Sequence, residues 1–391
     1  MPRGPRLAHR PGRRSVHGLG AVTLILAVLA ARTAAQTPAA APPDLAARLS
    51  DAPAAMEYWD LTGQFRSGHR LFARFLITNE GPGSHTGAAV GHLILPTGAI
   101  TPLKWGRTRD DWTISPDGLR LKIGKAVLDL STAATVFDVD SDKQGIKIHV
   151  EFTRTGAPIA ADPDPGTYRV EIVTPVPAHG TVWMRDMATP VPVDGTMALT
   201  HSWMERSEAE IVRQRSEVLA ATEDGGLYFS DVAFVDGRRR SSLIVTRAGR
   251  VVYRVEDLPV AFTGAATGSG DARYPVADTW ESRTADVQFV ARLQREWLRW
   301  NPLDIIPAPF RWVLALKAQP QRVWADAAVA LAVAAQPDRP ALTARGTGVA
   351  VVTFQQPVKA PLTPTLSPQG SAGSGGHAAS RELVPARDGR R

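Results

Sequence analysis

Short apolar segments separated by turn residues recur along most of the chain, and this pattern restricts the possible folds more than any other feature. Between residues 56 and 175 the segments are rich in β-branched and aromatic residues, and turn sequences such as Asp162–Gly166 divide them. No amphipathic helix intervenes. Consecutive strands without crossover helices form antiparallel sheets, so this part of the chain predicts an all-β sandwich or barrel.

The same texture returns after a central stretch, Val191–Met204, which contains a predicted turn at Val193-Asp194-Gly195, closes one half and opens the next. Asp236-Gly237 and Ala248-Gly249 are typical hairpin turns between apolar runs. Two halves of similar size and composition indicate two β domains in tandem. We place the first domain at residues 56–190 and the second at residues 191–357.

Two segments of the second domain follow helical spacing instead. Val287, Trp297 and Trp300 share one side of a helical projection that ends before Pro302, which predicts an amphipathic helix over residues 283–300. An Ala-rich stretch over residues 321–336 predicts a second helix. The first helix is expected to pack on a sheet; the alternative is contact with a membrane surface or a transporter through Val287, Trp297 and Trp300.

The two ends of the chain differ from its body. Five Arg residues among the first 14 precede the uncharged run Val16–Ala31 and the small residues Thr33–Ala35. This order is typical of a secretory signal peptide over residues 1–35, with a retained N-terminal anchor as the alternative. We therefore expect an exported protein of the periplasm or cell envelope. Residues 36–55 predict a linker, with one helical turn near Leu45, and residues 358–391 predict a disordered tail.

Charge and cysteine content exclude several classes of function. The net charge is +7, but the first 35 residues hold six Arg and no acid, and the chain from Lys359 onward holds five basic and two acidic residues. The body therefore carries about −2, and we predict no nucleic-acid partner. The chain has no Cys, and its His residues lack the spacing of metal ligands. Asp138, Asp140 and Asp142 alternate as in a calcium loop, but such a loop's Gly is missing, so we predict a solvated hairpin and no metal or other cofactor.

The central stretch carries the candidate site. His201 and Trp203 are two residues apart, so in a strand both side chains face the same way. An imidazole beside an indole on one wall is a possible site. The alternative is that Trp203 is a core residue and His201 its satisfied or exposed neighbour.

Three stretches together resemble one family. Glu57–Gly63, which reads EYWDLTG, is similar to the opening strand of the lipocalin-like family that includes carotenoid 1,2-hydratases and AttH-type exported proteins. Gly195, His201 and Trp203 stand in places that match the family's second signature. The segment Tyr228–Gly249 resembles the hairpin that follows it.

The resemblance implies two lipocalin-like barrels in tandem, each with an apolar interior that holds an extended hydrophobic molecule. It also implies hydration of an isoprenoid double bond as one activity, which requires a proton donor and a base. This chain departs from the family, because Thr200 occupies the place of an acid and Ser202 that of a Glu. His201 is retained, and Asp194 or Asp231 would have to supply its carboxylate partner.

We therefore expect an exported, non-catalytic β-barrel protein that binds or carries a lipid or isoprenoid. Trp59, His201 and Trp203 are predicted to line its cavity, with His201 orienting a polar group. The first alternative is a hydratase or isomerase of an unsaturated isoprenoid or lipid, with His201 in proton transfer. The second is an envelope interaction module beside a transporter.

Overall fold

The computed structural model describes residues 44–80, 83–264, 273–306, 308–337 and 340–357. The predicted signal peptide and the predicted tail lie outside these ranges. Strands dominate the described chain and form two curled antiparallel sheets. The predicted all-β fold with two tandem units is confirmed, each unit being a half-barrel with its own apolar core.

The first sheet has twelve strands in the order β4-β3-β2-β1-β12-β11-β9-β8-β7-β6-β5, with β10 beside β11. It curls until β6 approaches β3 and β4. The strands are β1 Met56–Phe65, β2 Arg70–Thr78, β3 Thr86–Ile94, β4 Ile100–Arg107, β5 Trp112–Ile114, β6 Arg120–Ile123, β7 Ala126–Asp129, β8 Ala134–Ser141, β9 Ile146–Thr153, β10 Ile159–Ala160, β11 Tyr168–Met184 and β12 Val191–Met204.

The second sheet has nine strands, β13 to β21, in the order β16-β15-β14-β13-β21-β20-β19-β18-β17. Within the described residues, no helix has the length and hydrophobicity needed to cross a bilayer. The strands are β13 Val212–Thr222, β14 Gly225–Phe234, β15 Arg239–Arg247, β16 Arg250–Glu256, β17 Ala261–Thr263, β18 Thr279–Arg283, β19 Val287–Trp300, β20 Gln321–Val333 and β21 Leu342–Phe354; the helices are α1 Glu208–Ile211 and α2 Ala308–Lys317, with 3₁₀ turns at Arg109–Asp111 and Pro302–Ile305.

The first unit ends with β12, which pairs with β1 and β11. The predicted boundary between residues 190 and 191 is therefore wrong, and the first unit extends to Met204. Asp194-Gly195 predicts a turn in the sequence but lies inside β12. Glycine is required there by close pairing, because a Cβ on Gly195 would stand 2.0 Å from the carbonyl oxygen of Gln64 on β1.

The predicted helix over residues 283–300 is wrong, because most of the segment forms β19. The first part of β19 alternates in burial, with Val287 and Phe289 buried and the residue between them exposed. Two register shifts follow, after Leu293 and after Glu296. Such bulges interrupt the period of two, and the apolar residues beyond them acquire a spacing close to that of a helix.

The predicted helix over residues 321–336 is also wrong. Most of it is strand β20, which is hydrogen-bonded to β19 on one side and β21 on the other. Alanine favours a helix by only a fraction of a kcal/mol per residue over most other residues, roughly 0.7 kcal/mol at most for ordinary ones. Backbone hydrogen bonds to a strand on each side, and burial of both faces over Arg322–Ala325, override that preference.

Residues 44–55 are not the linker that the composition predicts. This N-terminal strap, Asp44–Ala55, packs on the first sheet and has a defined conformation. Leu45 is completely buried in the first core. Leu45 and Leu49 have φ values of 62° and 49°, in the left-handed region, so the predicted helical turn does not form.

β1 is buried on both faces and so belongs to two cores at once. Trp59, Leu61 and Phe65 point into the core of the first sheet. Tyr58 packs in a separate apolar cluster that joins β11 and β12 to β13 and β14 of the second sheet. Because side chains alternate along a strand, Asp60 faces the second sheet as well.

Candidate functional site

His201 is completely buried and lies between two carboxylates. Its Nε2 is 2.8 Å from Oε1 of Glu57, and its Nδ1 is 3.1 Å from Oε2 of Glu171. Strand pairing places them, because β12 runs between β1 and β11. An ionised carboxylate only accepts hydrogen bonds, so both contacts are satisfied together when His201 is an imidazolium with two N–H donors.

The pKa values agree with that charge state. Burial alone would lower the pKa of His201, but hydrogen bonds to Glu171 and Glu57 outweigh it and raise the pKa above the usual 6.5. Burial would likewise raise the pKa of Glu171, but the hydrogen bond to His201 is among the interactions that outweigh it and lower the pKa below 4.5. His201 and Glu171 are therefore both charged in the pH range between those two ordinary values.

The same two carboxylates hold the N-terminal strap. Glu57 accepts the backbone N–H groups of Arg48 at 2.8 Å and Leu49 at 2.9 Å. Glu171 accepts the backbone N–H of Leu45 at 3.0 Å and forms an ion pair with the Arg48 guanidinium at 3.3 Å. Two anions thus face two cations, and the cluster attaches the strap to the sheet.

The structure brings Trp59, His201 and Trp203 together. The Trp59 and His201 rings stack with centroids 4.5 Å apart and planes 6° apart, and Trp203 lies 5.0 Å from His201. The indole N–H of Trp59 donates to the carbonyl oxygen of Leu45 at 3.0 Å. Trp203 is half-buried under the guanidinium of Arg48, which is 5.1 Å from the ring centroid.

This arrangement favours a structural role for the three residues. The polar side-chain atoms of Trp59 and His201 are bonded to the sheet or the strap. None of the three lines the cavity of about 190 Å³ that lies between the two sheets. Their part in ligand binding stays a prediction.

The carboxylate partners of His201 differ from those expected. Asp194 pairs with Arg66 on the surface, and Asp231 forms a bidentate pair with Arg239. The actual partners come from β1 and β11. One signal for them was present in the sequence, because Glu57 lies beside Trp59 in the same motif.

A second buried polar cluster lies between the two sheets, and sequence reasoning missed it. It combines three guanidiniums, three carboxylates and three phenols, so its formal charge is balanced. We call it the inter-sheet cluster; its members are Arg74, Arg215, Arg322, Asp60, Glu208, Glu217, Tyr58, Tyr168 and Tyr228. The alternation of charged and apolar residues within each strand does not show which charged residues from different strands come into contact.

Asp60 joins two of the arginines. The Arg74 guanidinium binds it through two hydrogen bonds of 2.5 Å, and Nη1 of Arg322 donates to it at 3.3 Å. Burial would raise the pKa of Asp60, but Arg74 and Arg322 outweigh burial and lower it. Asp60 is therefore an ionised, fully engaged counter-ion.

Glu208 and Glu217 flank the third arginine. Arg215 lies 3.1 Å from Glu217 and 3.7 Å from Glu208, and it also donates to the hydroxyl oxygens of Tyr58 and Tyr168. Tyr58 in turn donates to Glu208 at 3.1 Å. Burial would raise the pKa of Glu208, but the nearby arginines lower it, so this carboxylate is ionised.

A cavity of about 190 Å³ opens beside this cluster. Its wall is mostly apolar and comes from the first sheet, from α1, and from the segment between β19 and β20. The apolar residues include Met56, Leu76, Val90, Trp300, Leu303 and Ile306. Arg74, Glu208 and Arg322 of the inter-sheet cluster also line it. Charged groups and an apolar wall thus meet in one space, as is usual for small-molecule sites.

Trp297 and Trp300 belong to the packing between the sheets. Both rings lie 6.4 Å from that of Trp324, which in turn packs at a tilt against Phe72 with centroids 4.4 Å apart. Val287 is buried, and both Trp side chains are half-buried. Packing against neighbouring side chains therefore covers much of these three residues. Their contact with a membrane or a transporter stays a prediction.

The aspartates of the β8–β9 hairpin are paired with a histidine and a lysine of the same hairpin. Asp138 bonds His149 at 2.8 Å, and Lys147 lies 3.2 Å from Asp140 and 3.8 Å from Asp142. Among the described residues, no three His, Asp or Glu side chains are grouped as metal ligands would be.

No protein-family profile matches the sequence, and no curated protein sequence matches it either. Solved structures do match. An AttH-type protein of Nitrosomonas europaea superposes with a TM-score of 0.57 at 13% identity, over 77% of this chain and 93% of its own.

Two further structures have the same fold. CghA in complex with Sch210972 gives a TM-score of 0.52 at 11% identity, over 81% of this chain and 95% of its own. Kievitone hydratase from Nectria haematococca gives a TM-score of 0.52 at 9% identity, over 81% of this chain and 98% of its own. The similarity to AttH-type and hydratase-type proteins is therefore one of fold, and the expected lipocalin-like fold is confirmed.

Proposed function

We propose that the protein binds a small hydrophobic molecule, a lipid or an isoprenoid, in the cavity between its two sheets and carries it without chemical change. The observation that supports this most is the apolar wall of that cavity, which leaves about 190 Å³ open next to buried charged groups. A cavity of about 150 Å³ is enough to hold benzene. The space therefore suits a medium-length chain or a single ring.

We place the ligand between the sheets and not inside a barrel. The inside of the first sheet is packed with large side chains such as Phe75 and Phe137, whose rings meet edge to face at 6.1 Å. Close packing of this kind leaves little room for a guest. The inter-sheet cavity is also where two separate elements meet, which is a common position for binding sites.

Decanol, measured by isothermal titration calorimetry, tests this proposal. Leu76 is half-buried and lines the cavity, so Leu76→Trp is expected to fill the space and reduce decanol affinity by at least tenfold. The control is Val251→Trp, at an exposed position of β16 outside the cavity, which should bind decanol normally. Equal binding by both variants would show that the ligand sits elsewhere, and the absence of binding to the wild-type protein would remove the proposal.

A hydratase function is the second candidate, and one observation favours it. Glu208 is an ionised carboxylate in the cavity wall, and the Tyr58 hydroxyl donates to it at 3.1 Å. The Glu208 carboxylate would accept a proton from water as the hydroxyl adds to the alkene and would return that proton to the neighbouring carbon, so that one water is added in sum. Incubation with an unsaturated isoprenoid alcohol and mass spectrometry tests this: a product heavier by one water, lost in Glu208→Gln, is expected of a hydratase and not of a carrier.

A further inference from the structure

Arg322 of the inter-sheet cluster is buried and yet incompletely bonded. Arg215 also has side-chain nitrogens without a hydrogen-bond partner among the described residues, but unlike Arg322 it does not line the cavity. The Arg322 side chain is only 2% exposed. Nη1 donates to Asp60 at 3.3 Å, but Nη2 has no hydrogen-bond acceptor among the described residues. The nearest carboxylate oxygen to Nη2, on Glu208, is 3.8 Å away, beyond hydrogen-bond distance.

A buried N–H without an acceptor is costly, so proteins normally supply one. Asp60 is not available as that acceptor, because Arg74 already binds both of its carboxylate oxygens at 2.5 Å. Arg322 also lines the inter-sheet cavity. Nη2 itself has almost no accessible surface, so a molecule in the cavity would supply the missing acceptor once the guanidinium turns Nη2 toward it.

The charges around the cavity indicate which kind of acceptor fits. Three cationic side chains line it, from Arg74, Arg322 and Lys317, against two carboxylates, from Glu80 and Glu208. The lining side chains alone thus carry a formal excess of one positive charge, although Asp60, which binds Arg74 and Arg322 from outside the lining, is a counter-ion to both. A planar guanidinium is also well matched to a carboxylate, which presents two acceptor oxygens in one plane.

We propose that the ligand of the inter-sheet cavity is an organic acid, whose carboxylate accepts a hydrogen bond from Nη2 of Arg322 while its apolar body lies against the cavity wall. This inference rests on the proposed function, since it names the chemical class of the molecule bound there. Lys317, at the end of α2, adds a second cation on the wall.

Three ligands with the same ten-carbon body separate charge from hydrophobicity: decanoate, methyl decanoate and decanol. Titration calorimetry on the wild-type protein should give decanoate about 10- to 100-fold tighter binding than decanol, as expected for a hydrogen bond to a charged group. Methyl decanoate keeps the carbonyl but not the charge, and should resemble decanol. If all three bind equally, the acid proposal is overturned while the carrier function stands; if none binds, the carrier function itself fails.

A variant pair locates the carboxylate. Arg322→Gln should remove the preference for decanoate over decanol. The control is Arg345→Gln, which removes the same type of charge from an exposed position of β21 outside the cavity, where Arg345 pairs with Ala330. If Arg322→Gln does not fold, Lys317→Gln at the exposed cavity wall replaces it, with a smaller loss of the same preference expected. Unchanged decanoate preference in the folded variant would contradict the assignment.

Discussion

The bond network at His201 allows a direct test of how much burial contributes to an ion pair. The chain contains two His–carboxylate contacts of the same length, 2.8 Å, in different surroundings. His201 and Glu57 have side chains that are 0% and 6% exposed, whereas His149 and Asp138 are 50% and 48% exposed. His201→Gln and His149→Gln therefore remove the same chemistry from a buried and from an exposed site.

The expected magnitudes differ severalfold. His201→Gln leaves Glu57 and Glu171 as buried carboxylates without the imidazolium between them, and loss of one partner from a buried pair costs about 3–5 kcal/mol. An exposed pair contributes roughly 0–1 kcal/mol, so His149→Gln should be almost neutral. Stacking on Trp59 is lost as well in His201→Gln, which adds to the difference.

The effect should also depend on pH in a defined direction. The folded-state pKa of His201 is raised above 6.5, so its stabilising contribution is complete below pH 6.5 and declines as pH rises through the raised value. The folded-state pKa of Glu171 is lowered below 4.5, so its contribution is complete above pH 4.5 and is lost as pH falls through the lowered value. The gap between wild type and His201→Gln should therefore be widest between about pH 4.5 and 6.5.

Urea unfolding followed by tryptophan fluorescence, at pH 5.5 and pH 9, measures the difference in unfolding free energy between wild type and His201→Gln. Hydrogen exchange at the amides of Leu45, Arg48 and Leu49 adds a local measurement, since these N–H groups donate to the two carboxylates. Exchange should accelerate in His201→Gln and not in His149→Gln. The reasoning is refuted if the two variants lose similar stability, or if the wild type and His201→Gln differ more at pH 9 than at pH 5.5.

Three other outcomes are expected. Leu45→Ala should cost about 2–5 kcal/mol in urea unfolding, because the strap anchors in the first core through this fully buried side chain; a loss below about 1 kcal/mol would show that the strap is dispensable. Arg215→Gln should cost about 3–5 kcal/mol, because Glu208 and Glu217 would lose a buried counter-ion; a neutral result would mean that water replaces the guanidinium. Export should remove the first residues, and N-terminal sequencing of envelope-fraction protein should begin just after Ala35, whereas a start at residue 1 or 2 would indicate a retained anchor.

The local sequence pattern predicted the strands and hairpins correctly, but it was misleading where tertiary contacts determine the spacing of apolar residues or the need for a glycine. The hairpin of β1 and β2 and the shared face of His201 and Trp203 follow from alternation and turn residues alone. The segment 283–300 has helix-like spacing of apolar residues because bulges in β19 interrupt the alternation of buried and exposed residues. Asp194-Gly195 imitated a turn because glycine was needed for close strand pairing, a requirement that only the neighbouring strand reveals.

The site depended still more on tertiary structure. The sequence by itself selected His201, Trp59 and Trp203, since their residue types and spacing are local properties. It could not select Glu171 as a partner of His201, because strand order brings these residues together, and it could not show that a strap would cover them. The inter-sheet cluster and its cavity could not be predicted from local sequence pattern. Asp60 and Arg322 are 262 residues apart and come into contact only when the two sheets pack together. Periodicity encodes the conformation of each strand; which charges are buried together is decided by the packing of the sheets.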